Sequence, residues 1–309
     1  MADSVNYIVA VVGATASGKT ALSVALAKNF DSEIVSFDSM QIYKGMDIAS
    51  AKPTEDELKS VKHHLISVID NDVNYSVADY CKDANITVND ILSRNKLPIM
   101  VGGTGLYIDS FINNISFSDE ETDEELRKEL NSKNNVELFN MLKDIDFDYA
   151  DKLSLNDKKR IVRGLEVYIK TGKTMTEQLA LSLKNPPRYT PIYIGIDYKN
   201  RENLYNRINM RVDKMLEAGL VEEARQSFEK GKSTTSVQAI GHKELFKYFK
   251  GEESLENCID KLKQSTRRYA KRQLSWFRRN EKIHWFYADE QDFDEIVENA
   301  TKLIKNEMR

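Results

Sequence analysis

Cysteine is nearly absent. The 309 residues contain two, Cys81 and Cys258, too far apart to suggest a disulfide framework or a zinc cluster, and they read as reduced thiols of a cytoplasmic protein. No apolar stretch approaches the length of a membrane span, and "YIVAVVGATASG" near the start lacks a basic leader and reads as a first strand. An excess of positive charge is missing as well. The formal net charge of −4 argues against a protein that coats nucleic acid non-specifically, while leaving room for a local basic patch. There is no internal repeat and no low-complexity segment. His63, His64, His242 and His284 show no metal-ligand spacing with carboxylates or cysteines, so structural roles are expected for all four.

What is present is alternation. The apolar runs "YIVAVV", "EIVSF", "LPIMVGG" and "PIYIGID" are each followed by a helical pattern, which indicates βαβ units and a mostly parallel sheet covered by helices. Between the third and fourth runs the texture changes. "DEELRKELNS", "NVELFNMLKD", "NDKKRIVRGLEVYIKTG" and "MTEQLALSLK" carry apolar residues at three- and four-residue spacing with no convincing strand among them. The expected fold is therefore α/β, a parallel sheet flanked by helices, with an inserted all-helical domain. Residues 1–115 and 189–309 would form the core domain with its helical C-terminal part, and 116–188 the insertion. After Asp197 almost everything reads as helix: "RENLYNRINMRVDKMLEAGLVEEARQSF", a glycine break, "AIGHKELFKYFKG", and a long basic helix from about Ser254 to Asn280.

Gly13, Ala14, Thr15, Ala16, Ser17, Gly18, Lys19 and Thr20 form the G-x-x-x-x-G-K-[ST] pattern between a strand and a helix, which makes the expected parallel sheet flanked by helices P-loop NTPase-like. The backbone N–H groups of such a loop converge on one anion, the helix N-terminus adds positive potential, and Lys19 reaches the outer phosphates. Thr20 would hold Mg²⁺. Asp38 projects from the carboxyl end of the second strand, where open α/β sheets bind ligands, and Ser39 and Gln41 flank it; an Asp there is also a common turn residue. "VGGTGLY" puts three glycines at the end of the third strand, which serves either close approach of a ligand or a tight turn, with Thr104 its one polar side chain. "STRRYAKRQLSWFRRNEK" interleaves Arg267, Arg268, Lys271, Arg272, Arg278 and Arg279 with Tyr269, Trp276 and Phe277. Its aromatics fit a buried stripe, and its cations fit either solvent or phosphates. A second basic cluster, "KKRIVRG", places Arg160 and Arg163 on one helical face.

A phosphate loop usually means a bound nucleotide such as ATP, which makes a small-molecule kinase the default. Such kinases need a second acidic residue for Mg²⁺, and only Asp38 and Asp197 are placed for it. The blocks "GATASGKT", "DSMQIYKGMDIASAKPT", "HHLISVID", "YSVADY", "GGTGLY", "RIVRGLEVY", "RVDKMLEAGLVEEA" and "TRRYAKRQLSWFR", in this order and nearly end to end, resemble the tRNA dimethylallyltransferase (tRNA isopentenyltransferase) family of bacterial type. Ala49 and Ser50 stand where that family usually has "GT", and His242 replaces a common Tyr.

The resemblance implies transfer of a dimethylallyl group from dimethylallyl diphosphate to the N6 amine of adenosine at tRNA position 37, in the anticodon loop, with release of diphosphate. It further implies that residues 13–20 hold the diphosphate with Mg²⁺, with Arg211 beside it, and that Asp38 is the general base. Asp38, Ser39, Met40 and Gln41 would hold the target base, and Thr104, Arg127 and the stretch Lys159, Arg160, Ile161, Val162 and Arg163 would touch tRNA. A cytoplasmic monomer without membrane contact is expected. The alternatives are an adenylate isopentenyltransferase acting on free nucleotide, which would need neither the insertion nor the basic helix, and the kinase.

Overall fold

The computed structural model describes residues 5–117, 123–230 and 239–309, and it divides into two units. The first comprises Met1–Ile112 and Tyr189–Arg309, the second Asn113–Arg188.

In the first unit, six strands form one parallel sheet: β1 (Tyr7–Gly13), β2 (Ile34–Ser36), β3 (His63–His64), β4 (Ile99–Val101), β5 (Thr190–Asp197) and β6 (His284–Tyr287), in the order β3-β2-β4-β1-β5-β6. Strand β1 lies centrally, Val9 aligning with Ile99 on one side and Ile192 on the other. Residues Ile8–Val12 are wholly buried, which is why the strand reads as an unbroken apolar run rather than an alternation. One face packs Val9, Val11, Ile34, Ile99 and Ile194 against Leu22 and Leu26 of the helix Lys19–Asn29 and against Ile296, Ala300 and Ile304 of the helix Phe293–Glu307. Three chain segments leave the carboxyl ends of β1, β2 and β4 on the same edge: the phosphate loop, the Asp38 turn and the "GGTG" turn.

The four apolar runs are four of the six strands. The other two depart from the expectation. Strand β3 is two residues long, too short for any periodicity, and β6 is a half-buried aromatic strand at the edge of the sheet, paired with β5. The long helical stretch after Asp197 is also broken earlier than expected. Gly219, at φ +100°, caps a new helix, so Arg201–Glu217 and Leu220–Glu229 are separate elements. The glycine break expected after Phe228, in "GKSTTS", lies outside the described residues.

The second unit contains no strand among its described residues. The helices Glu124–Ser132, Asn135–Ile145, Phe147–Ala150, Lys158–Thr171 and Met175–Ser182 enclose a small core of Leu130, Leu138, Leu142, Ala150, Ile161, Val162 and Leu165. Each start is marked by a side chain that takes an orphan backbone N–H: Asp123, Asn134, Asp146, Asp157 and Thr174.

Candidate active site

The phosphate loop runs from β1 into the helix Lys19–Asn29. Its N-cap, Gly18, offers no capping side chain, and the first turn holds no acid, so the first-turn N–H groups are left for an external anion. The loop is held in shape from outside. Lys19 Nζ donates to the Ala14 carbonyl at 2.5 Å, Arg207 Nε to the Ala16 carbonyl at 3.2 Å, and Arg211 to Thr15 Oγ1 and the Ala51 carbonyl, both at 3.3 Å. Two cavities meet at the loop. One, of about 300 Å³, is lined by Thr15, Lys19, Thr20, Arg211 and residues 38–41. The other, of about 350 Å³, is lined by residues 16–21 with Arg207, Arg211 and Lys214. Lys19, Thr20 and Arg211 belong to both.

Neither Lys19 nor Arg211 forms an ion pair with a carboxylate among the described residues. Burial pulls the Lys19 ammonium down to about 7, with repulsion from Arg211 adding to the drop and the Asp38 carboxylate partly opposing it. Burial lowers Arg211 too. Two adjacent, partly desolvated cations are unfavourable unless an anion joins them. An anion should therefore carry a proton into the site. Pyrophosphate binding at a pH of about 8 is expected to be accompanied by proton uptake that Lys19→Met lacks, with the affinity difference between the two proteins shrinking as pH rises through and above about 7. Calorimetry in buffers of different ionisation heat measures it; equal uptake by both proteins would remove Lys19 as the titrating group.

Asp38 follows β2. Its Oδ1 accepts the N–H of Met40 at 2.9 Å and of Gln41 at 3.4 Å, so it is a turn residue and a cavity carboxylate at once. Thr104 Oγ1 accepts the Ser39 N–H at 3.1 Å and lies 3.3 Å from Ser39 Oγ, tying the β4 turn to this one. The Gln41 amide is engaged by Ser36 Oγ at 3.1 Å and by the carbonyls of Ser50 and Ala51. The glycines beyond β4 serve packing: a Cβ at Gly103 would overlap the Gln273 carboxamide, and one at Gly105 the Trp276 indole, both on the helix Leu255–Phe277.

That helix supplies what the sequence did not disclose. Tyr269, expected only as a packing ring, lines the cavity with Gln273. Gln273 is buried and accepts the Thr15 N–H at 2.8 Å. Glu223 was equally silent. Its carboxylate accepts three successive backbone N–H groups, from Asp47, Ile48 and Ala49 at 2.8, 2.8 and 2.9 Å, and takes His242 Nε2 at 3.0 Å, fixing the segment whose Ala51 carbonyl meets Arg211. Arg211 itself had a usable signal. Arg207, Arg211 and Lys214 fall at four- and three-residue spacing on one helical face.

The basic helix is not one uniform phosphate-binding face. Arg278 pairs with the buried Asp197 at 2.7 Å, Arg267 bonds Asn209 at 2.7 Å, and Arg279 stacks on Trp276 at 4.2 Å, whereas Arg272 lies over the Tyr269 ring at 5.6 Å, is exposed and lines the cavity. Asp197, one of the two acids a kinase could have used, is therefore committed to Arg278. In the second unit, Arg127 and Arg163 both bind the buried Glu166, at 3.0 and 2.9 Å. Burial alone would raise the Glu166 carboxyl, but these bonds overcome it and hold it below its ordinary value. Ile161 and Val162 do not fit a side-chain contact with tRNA, because both side chains are buried in the core of this unit; Lys159 and Arg160 beside them are exposed.

Among the described residues no group of three or more His, Cys, Asp or Glu side chains could cage a metal. The oxygen donors at the loop, Thr20 with Asp38 nearby, suit Mg²⁺, which keeps waters and substrate phosphates as ligands.

A parallel α/β sheet with a phosphate loop, two cations that have no carboxylate partner among the described residues, and a carboxylate in one cavity defines a P-loop-like enzyme acting on a phosphorylated substrate. The IPP transferase family model matches residues 41–280. A tRNA dimethylallyltransferase of Acetivibrio thermocellus is 48% identical over 307 residues, covering 97% of this chain and 96% of its own. Among solved structures, the full-length tRNA isopentenylpyrophosphate transferase of Bacillus halodurans is 40% identical, with 98% and 97% of the two chains covered and a TM-score of 0.75. A eukaryotic dimethylallyltransferase acting on tRNA is 30% identical over 97% of this chain and 79% of its own, with a TM-score of 0.84. The chain belongs to the tRNA dimethylallyltransferase family, and its relatives are mostly bacterial.

Proposed function

We propose that this protein transfers the dimethylallyl group of dimethylallyl diphosphate to N6 of adenosine 37 in the anticodon loop of tRNA, releasing diphosphate, as a monomer in the cytoplasm. The observation that carries this reading is the pair of partly desolvated cations, Lys19 and Arg211, without a carboxylate ion pair among the described residues and in the same cavity as Asp38. The allylic carbon–oxygen bond breaks with its electron pair leaving on the diphosphate, where Lys19, Arg211 and the N–H groups of residues 16–20 receive the charge. The N6 lone pair forms the new carbon–nitrogen bond, and the proton it sheds passes to the Asp38 carboxylate. Thr20 fits as the protein ligand of a Mg²⁺, which would add positive charge at the departing diphosphate. Ser39, Met40 and Gln41 hold the target base after it leaves the anticodon stack, as chemistry on a stacked base requires. No helix among the described residues is long and apolar enough to cross a membrane.

Phosphates of the tRNA are gripped by exposed cations of each unit, Lys159 and Arg160 on one and Arg272 on the other. Log K for tRNA should fall with log salt by roughly 0.7–0.9 per contact, so Arg160→Gln and Arg272→Gln should each flatten the slope by about one unit. Arg278→Gln should leave the slope alone and lower the melting temperature, because it orphans the buried Asp197. An unchanged slope in the first two variants would make those arginines ordinary surface. The position is tested by nucleoside analysis of modified tRNA: a substrate with guanosine at position 37 should take up nothing, and modification of it would refute the assignment.

A further inference from the structure

The phosphate loop does not keep all its N–H groups for the ligand. Gln273 Oε1 takes the N–H of Thr15 at 2.8 Å, and the orientation of the amide is set at its other end, where Nε2 donates to the Gly103 carbonyl at 3.0 Å. Gln273 is 5% exposed, and Thr15 and Gln273 both line the cavity that contains Asp38. Residues 16–18, by contrast, line the other cavity with Arg207 and Lys214. Lys19 and Arg211 line both cavities, so the two ends of the loop differ in what is added to that pair: Arg207 and Lys214, with Glu57, on the outer side, and an acceptor oxygen with the Asp38 carboxylate nearby on the side of the reaction.

We propose that Gln273 limits the loop to two phosphates: by occupying the Thr15 N–H it turns the inner end of the loop from donor to acceptor, and so selects a diphosphate ester of an uncharged group over a triphosphate chain. The inference rests on the diphosphate reading above. A third phosphate extended toward Asp38 meets an amide oxygen and a carboxylate where a nucleotide kinase would present donors, and like-charged neighbours disfavour it. An allyl group entering there carries no charge, and Val101, Ile208 and Val212 offer it apolar wall. The selection runs against bulk electrostatics, because a longer polyphosphate carries more negative charge toward Lys19 and Arg211.

The probes are inorganic pyrophosphate and tripolyphosphate, titrated calorimetrically with Mg²⁺ into the full-length protein. The wild type should bind pyrophosphate at least about tenfold more tightly, the scale of one charge-assisted contact. Gln273→Met, similar in shape but unable to hold the N–H, should shift the ratio toward tripolyphosphate by a similar factor. Gln273→Glu, which adds charge at the same place, should shift it the other way. Equal or tighter tripolyphosphate binding by the wild type overturns the proposal, as does an unchanged ratio in a folded variant; should Gln273→Met fail to fold, the wild-type ratio and Gln273→Glu still decide. Dimethylallyl transfer to tRNA, assayed on the same wild-type preparation, separates the two levels: transfer without a pyrophosphate preference overturns the role of Gln273 alone, whereas absence of transfer overturns the reading beneath it.

Discussion

Asp38→Asn is expected to lower kcat by about 10²–10⁴-fold, the usual worth of a positioned general base, with tRNA and dimethylallyl diphosphate affinities close to wild type. The substitution is unusually clean here. Asp38 Oδ1 holds the Met40 and Gln41 N–H groups, and an asparagine carbonyl oxygen accepts those bonds equally well, so the turn stays while the basicity goes. Asp38→Ala loses both functions, and its additional loss of stability should appear as a lower melting temperature that Asp38→Asn does not share. Single-turnover rates with filter-binding affinities make the comparison. A kcat for Asp38→Asn within about threefold of wild type, far below the expected worth of a general base, would leave the turn as the only role of this residue.

Lys19→Met should reduce kcat/KM for dimethylallyl diphosphate by at least about 10²–10³-fold, because one cation serves both the bound substrate and the departing diphosphate. Its stability should move the other way. The unfolded chain keeps this ammonium protonated to about 10.5, whereas the folded site holds it near 7, so between those values the unfolded state binds more protons. Lys19 therefore opposes folding at neutral pH, and the opposition fades as pH rises through that window. Lys19→Met should melt no lower than wild type at a pH of about 7 without ligand, and should lose the stabilisation that pyrophosphate gives the wild type. A variant that is both unstable and inactive would contradict this account, since it would make Lys19 a structural cation.

The parts of this site that were legible in the sequence are those fixed by the local chain. "GATASGKT" needs only a strand before it and a helix after it, and four strands announce themselves because burial on both faces makes them continuously apolar. Asp38 was legible as a strand-end acid, although its turn bonds to Met40 and Gln41 were not separable from a catalytic role. The parts that stayed hidden are made by the fold. Gln273 lies 258 residues from the Thr15 N–H it holds, and Glu223 174–176 residues from the three N–H groups it accepts. No spacing rule reaches across such distances. Asp197 and Arg278 misled for the same reason: each reads as a free charge at a site until the fold pairs them. The insertion was legible as helices from its periodicity, but Arg127 and Arg163 share Glu166 through packing that periodicity does not report.

The most direct test of the account is mass spectrometry of the products after the protein is incubated with Mg²⁺, dimethylallyl diphosphate and either unmodified tRNA or AMP. The account predicts a single dimethylallyl group on the tRNA, placed at N6 of adenosine 37, stoichiometric release of diphosphate, and unchanged AMP. A prenylated AMP with unmodified tRNA, or a phosphoryl group transferred to any acceptor when ATP replaces the prenyl diphosphate, would contradict it.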